Sequence, residues 1–413
     1  MGILPCPPLS CQKDTKSNQS QSTHLRSDSS ASSSLSLSSQ PSLPSIPSLT
    51  PPSQIQTPST HHLCLATINS PNSSYLSSIS LSGKSLYGGS STGQILIWTR
   101  NPSQILSNPT PNLETDTKSA IKSLVVFENK LFTAHQDHKI RVWKSDNNGG
   151  YNFTTTLPTL NDRFSKLFST KNYIEVRRHK KCTWVHHVDA VSALAISKDG
   201  SLLYSASWDR TFKVWRTSDY KCLESISNAH EDAINAIELS SDGYVYTGSA
   251  DKKIKVWKKM EGDKKHTLLA TMEKHKSSVN ALALSSDGSV LYSGACDRSI
   301  LVWQRDGGGM VVVGALRGHK KAILCLAVVE DLVFSGSADC SIRVWKRTVD
   351  GSYVCLAVLE GHKRPVKCLA VGVDSNWERN DGCDDSGSNS YHVYSGSLDS
   401  EIRVWQIRVP SFL

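Results

Sequence analysis

SASWDRTFKVW, Ser205–Trp215, places an aspartate six residues ahead of a tryptophan at the end of a run of strand-forming residues. The arrangement returns along the chain as SSTGQILIW ending at Trp98, HQDHKIRVW at Trp143, SWDRTFKVW at Trp215, SADKKIKVW at Trp257, ACDRSILVW at Trp303, SADCSIRVW at Trp345 and SLDSEIRVW at Trp405. The steps between tryptophans are 45, 72, 42, 46, 42 and 60 residues. The basal period is therefore about 42, the range of four-stranded repeat units, with insertions in two places.

Within one unit, β-branched and aromatic runs are separated by turn signals such as SDG, SAD and GD, which predicts a meander of four short strands and no long helix. A four-stranded sheet of this size needs both faces covered, so the units must close in a ring. The expected fold is all-β, a seven-bladed β-propeller. After Trp405 only QIRVPSFL remains, too short for an outer strand, whereas HHLCLATINS at residues 61–70 matches the outer strands of other units. Residues 62–68 are expected to pair with the last blade and leave no open terminal edge. The propeller then spans 61–413.

Residues 1–60 are rich in Ser and Pro and aromatic-free, a composition that buries too little apolar surface to order itself. They read as a disordered tail, with Thr50 and Thr57 before prolines as acceptors for regulatory phosphate and an organelle transit peptide as the alternative. MGILPC is a poor myristoylation signal, because Cys6 stands where Ser or Thr is wanted. Eleven cysteines form no CxxC pair, no apolar run is long enough to cross a membrane, and no secretory signal opens the chain, so cytoplasm, nucleus or both are expected. The net charge of +9 comes from 46 basic residues interspersed with 37 acidic ones, which argues against one nucleic-acid-binding surface. SGKS at residues 82–85 lacks the leading glycine of a phosphate-binding loop and reads as a hairpin turn. No metal-ligand spacing is present, so no metal and no cofactor are expected.

The recurring Asp and Trp, with a Ser or Thr four residues before the Asp and a His ahead of the first strand, resemble the WD40-repeat family over residues 62–413. That resemblance implies a hydrogen-bonded structural tetrad in each blade: His187, Ser205, Asp209, Trp215; His230, Thr247, Asp251, Trp257; His275, Ser293, Asp297, Trp303; His319, Ser335, Asp339, Trp345; and His362, Ser395, Asp399, Trp405. Recurrence in five blades argues against reading Ser/His/Asp as a catalytic set, and an enzyme is not expected. Blade 2 has Thr117 where His is expected beside Thr133, Asp137 and Trp143; blade 1 has Asn72, Gly88 and Thr92 with Trp98, and should be the weakest.

Residues 160–186 form an insertion between blades 2 and 3. Leu160, Phe164, Leu167 and Phe168 share one helical face, with Asn161 as a candidate cap. Either YNFTTTLPT or CTWVHH is the outer strand of blade 2, and the choice decides which side carries the insertion. With the Ser-rich tail and seven repeats, KNY…VRRHKK…W…H.DAVS is similar to the plant JINGUBANG group, which implies a regulator of pollen germination acting through protein contacts. Arg177, Arg178, Lys180 and Lys181 are a candidate nuclear-import patch.

The family resemblance implies a protein-interaction scaffold, a monomeric propeller, with partners on the face made by the loops between units and the loops joining the second and third strands of each unit (the d-to-a and b-to-c loops, the four strands of a unit being lettered a to d). Candidates there are Asp189, Glu231 and Asp232 on one side and Lys276, Lys320, Lys321, Lys363 and Arg364 on the other. Trp208, a large aromatic just before the turn Asp, is the candidate anchor; its alternative role is packing beneath the insertion helix. A ubiquitin-ligase substrate receptor is the second reading, but the residues after the repeat tryptophans, Lys144, Arg216, Lys258, Gln304, Lys346 and Gln406, lack the adaptor-binding Asp. Nucleic-acid binding through the basic sector of blades 5–7 is a third.

Overall fold

The protein, seen here as a computed structural model, is described for residues 46–50, 60–70, 73–101, 117–146, 150–167, 173–177, 180–307, 309–373 and 388–410. Among the described residues seven antiparallel blade sheets follow one another along the chain, six of four strands and the first, Leu76–Thr99, of three. In blade 3 the strands are Val191–Ile196 (a), Leu202–Ser207 (b), Phe212–Arg216 (c) and Cys222–Ile226 (d), hydrogen-bonded in that order. Short turns set their lengths: Gly200 adopts φ 69° in the a–b turn, where Asp199 Oδ1 accepts the Ser201 N–H at 3.2 Å.

The a strands make the inner ring. Leu76–Ser82, Ile121–Phe127, Val191–Ile196, Ile234–Leu239, Val279–Leu284, Ile323–Val329 and Val366–Val373 each touch the a strands of both neighbours, and the last meets the first. Polar side chains cross these seams. Asn235 Nδ2 donates to the Val279 carbonyl at 2.9 Å and Asn280 Nδ2 to the Ile323 carbonyl at 2.8 Å. Ser77 and Ser192 do the same toward Ile121 and Ile234, and the thiols of Cys325 and Cys368 toward Val366 and Leu76. The b strands are covered on both faces, which is why small residues follow the tetrad Ser or Thr. A Cβ on Gly294 would stand 2.5 Å from Ile323 of the next blade, so a larger residue there would push two blades apart.

Closure is made by both ends of the described propeller. His61–Asn69 pairs antiparallel with Glu401–Pro410, Cys64 opposite Trp405 and Asn69 opposite Glu401, as the outer strand of blade 7. Ala66 from this strand is buried with Leu76, Tyr394, Ile402 and Val404. Gly83, at φ 54°, lies in the hairpin turn of SGKS. Among the described residues no helix is long and apolar enough to cross a membrane.

In blade 2 Tyr151–Leu157 pairs with Ile140–Ser145 and is the outer strand, so the insertion belongs to the d-to-a connection. It holds a helix, Leu160–Leu167, and a hairpin of Tyr173–Arg177 with Lys180–Thr183. The helix cap is Thr159, whose Oγ1 accepts the Asp162 N–H at 3.2 Å, not Asn161. Leu160 and Phe164 are exposed; the helix is fastened by buried Asp162, which accepts the Cys222 N–H at 3.0 Å from the otherwise open edge of blade 3. Phe168 and Arg178 lie outside the described residues.

Within residues 1–60, Ile46–Thr50 is described and bonds to the edge of blade 5. Average composition hides two apolar anchors, Ile46 and Leu49, in a segment whose backbone finds hydrogen-bond partners there. The rest of that tail up to residue 59, including Thr57, lies outside the described residues.

Ala66→Asp is expected to place an unpaired carboxylate in the closing seam and lower stability by about 3 kcal/mol, read by denaturant unfolding. An unchanged midpoint would mean that the seam does not support the ring.

Candidate functional site

Each complete tetrad is one chain of hydrogen bonds. The His Nδ1 to Asp Oδ2 distances are 3.0 Å for His187 and Asp209, 2.8 Å for His230 and Asp251, 2.9 Å for His275 and Asp297, 2.9 Å for His319 and Asp339, and 3.0 Å for His362 and Asp399. The Nε2 atoms lie 2.8 Å from the hydroxyls of Ser205, Thr247, Ser293, Ser335 and Ser395. Those hydroxyls accept the indole N–H groups of Trp215, Trp257, Trp303, Trp345 and Trp405 at 2.8–3.0 Å. One proton assignment satisfies every atom: the carboxylate only accepts, so Nδ1 donates, Nε2 accepts the hydroxyl proton, and the hydroxyl oxygen accepts from Trp. The spacing is that of a hydrolytic triad, but the hydroxyls are 0% exposed and committed to indole, which leaves no nucleophile facing solvent.

Burial pushes the Asp297 carboxyl up, but the hydrogen bond and charge of His275, with Ser299, outweigh it and hold the group at about 2. Asp251 is held at about 2 in the same way by His230, and Asp209, Asp339 and Asp399 are also lowered. Burial lowers the His187 and His362 imidazoles despite their aspartates, in keeping with neutral rings.

The tetrads also fasten the loops. Asp Oδ2 accepts the backbone N–H after the His: Val188, Glu231, Lys276, Lys320 and Lys363 at 2.8–3.0 Å. A second set of serines, unremarked in the sequence reading, completes the clamp. Ser207, Ser249, Ser337 and Ser397 accept the Asp N–H and donate to the carbonyls of Asp189, Asp232, Lys321 and Arg364. The sequence signal was Ser two residues before the turn Asp.

Blade 2 rebuilds the network. His135, on strand b, replaces the loop histidine: its Nε2 lies 2.8 Å from Thr133 Oγ1, which also accepts the Trp143 indole at 3.0 Å, and its Nδ1 lies 3.1 Å from the Ser119 carbonyl. Asp137, released from imidazole, pairs with Arg141 at 2.6 Å. Burial and the Arg141 charge lower His135 to about 4. In blade 1 the absent hydroxyl is Gly88, where a Cβ would meet Trp98 at 2.9 Å; Asn72 lies outside the described residues.

On the loop face, Glu231, Asp232, Lys276, Lys320, Lys321, Lys363 and Arg364 are exposed and Asp189 is half-buried. The expected acidic side is diluted. Glu231 is paired with Lys253 at 3.1 Å, and the residues after the turn aspartates of blades 3 and 4, Arg210 and Lys252, are exposed at φ 68° and 73°. Charge on that side alternates because the turn demands a left-handed residue without demanding its sign. Trp208 is 39% exposed, and the Lys122 ammonium of blade 2 stands 5.3 Å from its ring centroid. Of the import patch, Arg177, Lys180 and Lys181 fall on the insertion hairpin, Lys180 opposite Arg177.

Among the described residues His362, Asp399 and Glu401 bring ligand-type atoms within 4.8 Å of one another, but the first two are bonded to each other and Glu401 is paired with Arg403 at 2.8 Å. The group fits its structural bonds, and nothing in it points to a metal.

Seven blades, six of four strands and one of three among the described residues, closed in a ring and pinned in five of them by an imidazole–carboxylate network at the turns, define a β-propeller of repeated units. The chain belongs to the WD40 family: the model described as "WD domain, G-beta repeat" matches residues 179–216, 220–258, 266–304, 310–346 and 353–406, about half of the chain. The fold of this family is generally a non-catalytic scaffold that binds protein partners. Relatives include an uncharacterized WD repeat-containing protein of Schizosaccharomyces pombe, 25% identical over 47% of this chain and 58% of its own length. Protein HIRA of Dictyostelium discoideum is 26% identical over 30% of this chain and 13% of its own, and the ribosome biogenesis protein WDR12 homolog of Trichoplax adhaerens is 28% identical over 32% and 34%. The chain thus spans under two thirds of the length of each.

Asp297→Ala is expected to cost a few kcal/mol, whereas Asp137→Ala combined with Arg141→Met, which removes the ion pair of blade 2 without stranding a buried charge, costs about 1 kcal/mol or less, measured by denaturant unfolding. Equal losses would contradict the separate role of blade 2. The imidazoles and tetrad carboxylates are expected to lower stability on acidification, against Glu238, which burial raises to about 7 and which acts with the opposite sign between about pH 4.5 and 7. His135 at about 4, with lowered His187 and His362, contributes stability lost below the unfolded imidazole value of about 6.5. Asp251 and Asp297, held at about 2, contribute stability lost from about pH 4 down through 2. In the Glu238→Gln chain, where that opposing contribution is removed, a rise in unfolding free energy between pH 7 and pH 5 would reverse these signs.

Proposed function

We propose that this protein is a non-enzymatic scaffold or regulator that binds a partner protein on the d-to-a and b-to-c loop face, anchored at Trp208. The observation that carries the reading is a half-exposed indole held between the Lys122 ammonium and a loop whose backbone is fixed, Trp208 N–H donating to the Ala190 carbonyl at 3.1 Å. A rigid aromatic loses little entropy on binding and suits an interface centre. Lys320, Lys321, Lys363 and Arg364 supply a basic sector that orients an acidic surface of the partner and speeds its approach.

The finer reading is membership of the plant JINGUBANG group, with restraint of pollen germination through contacts to transcriptional regulators. It rests on the KNY…VRRHKK insertion and the Ser-rich tail. Work in cytoplasm and nucleus, with Arg177, Arg178, Lys180 and Lys181 as the import patch, belongs to the same proposal. The names of Protein HIRA and of the ribosome biogenesis WDR12 homolog fit a role inside larger assemblies.

Trp208→Ala is expected to leave the melting temperature within about 2 °C and abolish retention of a specific protein in nuclease-treated affinity purification from native tissue. Retention of the same protein by the folded variant rejects Trp208 as anchor; loss of all retention after nuclease turns the reading toward nucleic acid.

A further inference from the structure

Ile46–Thr50, IPSLT, lies along the outer strand of blade 5 as an added parallel strand, Ser48 bridging Ala315. The Leu49 N–H donates to the Ala315 carbonyl at 3.0 Å, and the Ala315 N–H donates to the Pro47 carbonyl at 2.9 Å. From blade 6 the Tyr353 N–H donates to the Leu49 carbonyl at 3.0 Å. The ladder uses the carbonyl of residue 47 and the N–H of residue 49, so Pro47, which has no N–H, fits without loss. Ile46 is 6% exposed, and Leu49 packs with Val290, Tyr292, Leu316 and Tyr353 in a gap kept open by Gly314, whose Cβ would collide with Leu49. Ser48 points outward. Beside Ser48–Thr50 a cleft is lined by Val313, Arg347, Val349 and Asp350, and both valines are exposed.

We propose that this outer groove between blades 5 and 6 is a binding site for an extended peptide of Ile-Pro-Ser-Leu type, occupied in the resting chain by its own Ile46–Thr50. It is separate from the loop face. Recognition is by strand addition: backbone bonds supply sequence-tolerant affinity, and the Ile46 and Leu49 positions supply selectivity. The tail repeats Pro-Ser-Leu at Pro41–Leu43 and Pro47–Leu49, and only the second copy has Ile ahead of the proline, so the choice between them falls on the Ile46 site. Thr60, hydrogen-bonded to the Leu356 carbonyl at 2.6 Å, anchors the chain nearby on blade 6. Nine residues separate the two anchors, a tether that gives the internal segment an effective concentration of about millimolar order. A free peptide therefore gains the groove only when it binds more tightly or when the internal segment is displaced.

The test uses the full chain and a fluorescent peptide of residues 45–53, SIPSLTPPS, read by anisotropy. The chain carrying Ile46→Asp with Leu49→Asp is expected to bind the peptide saturably and at least about tenfold more tightly than the wild-type chain. Adding Gly314→Val to that variant fills the leucine gap and removes binding. The peptide carrying Leu49→Asp is expected to fail on every chain, a control that does not depend on the folding of any variant. Equal binding by wild-type and emptied chains, no binding by the emptied chain, or binding of the Leu49→Asp peptide each overturns the proposal.

Discussion

A carboxylate at a tight turn can only accept hydrogen bonds, and here that constraint orders the rest of the blade. The Asp takes its donors from the imidazole, from the backbone N–H of the incoming loop and from its own turn. The imidazole must then accept on its other nitrogen, which fixes the hydroxyl proton, which leaves the hydroxyl oxygen for the indole. Four side chains from three segments are thereby locked to one geometry. Because the incoming loop is one of those segments, the network that stabilises each blade also fixes the backbone that displays Glu231, Lys276, Lys320 and Lys363 to solvent.

The ring imposes the second constraint. Each b strand is enclosed, so a glycine or alanine must face the neighbour's first inner residue, as Gly294 faces Ile323. The outer strands have no such cover, and their free edges are where the chain adds to itself. His61–Asn69 completes blade 7, Asp162 accepts the Cys222 N–H of blade 3, and Ile46–Thr50 lines blade 5. Three departures from the simple repeat thus answer one problem, unpaired backbone at a sheet edge.

Much of this was legible beforehand because the repeat is periodic and its polar positions are chemically restricted. The seven tryptophans fixed the number of blades, and the turn aspartates pointed to their histidines. Blade 2 escaped that reasoning. His135 lies two residues from Thr133 on the same face of its strand, and only the paired strands show that it substitutes for the missing loop histidine. The insertion helix was read by its apolar spacing, yet it is fastened by Asp162 while Phe164 stays exposed, since an edge N–H in need of an acceptor outweighs a short apolar face.

Local pattern, then, determined what recurs: strands of set length, turns demanding a left-handed residue, and tetrads whose members lie at fixed spacing. The tertiary structure alone decided what depends on contacts between distant segments: the indole of Trp208 meeting Lys122 from another blade, and Leu49 entering the gap above Gly314, some 265 residues along the chain. The physical reason is that a turn or strand is specified by neighbours within a few residues, whereas an open strand edge accepts any backbone that reaches it. Which segment arrives is settled by shape and by tether length, neither of which is written at the site itself.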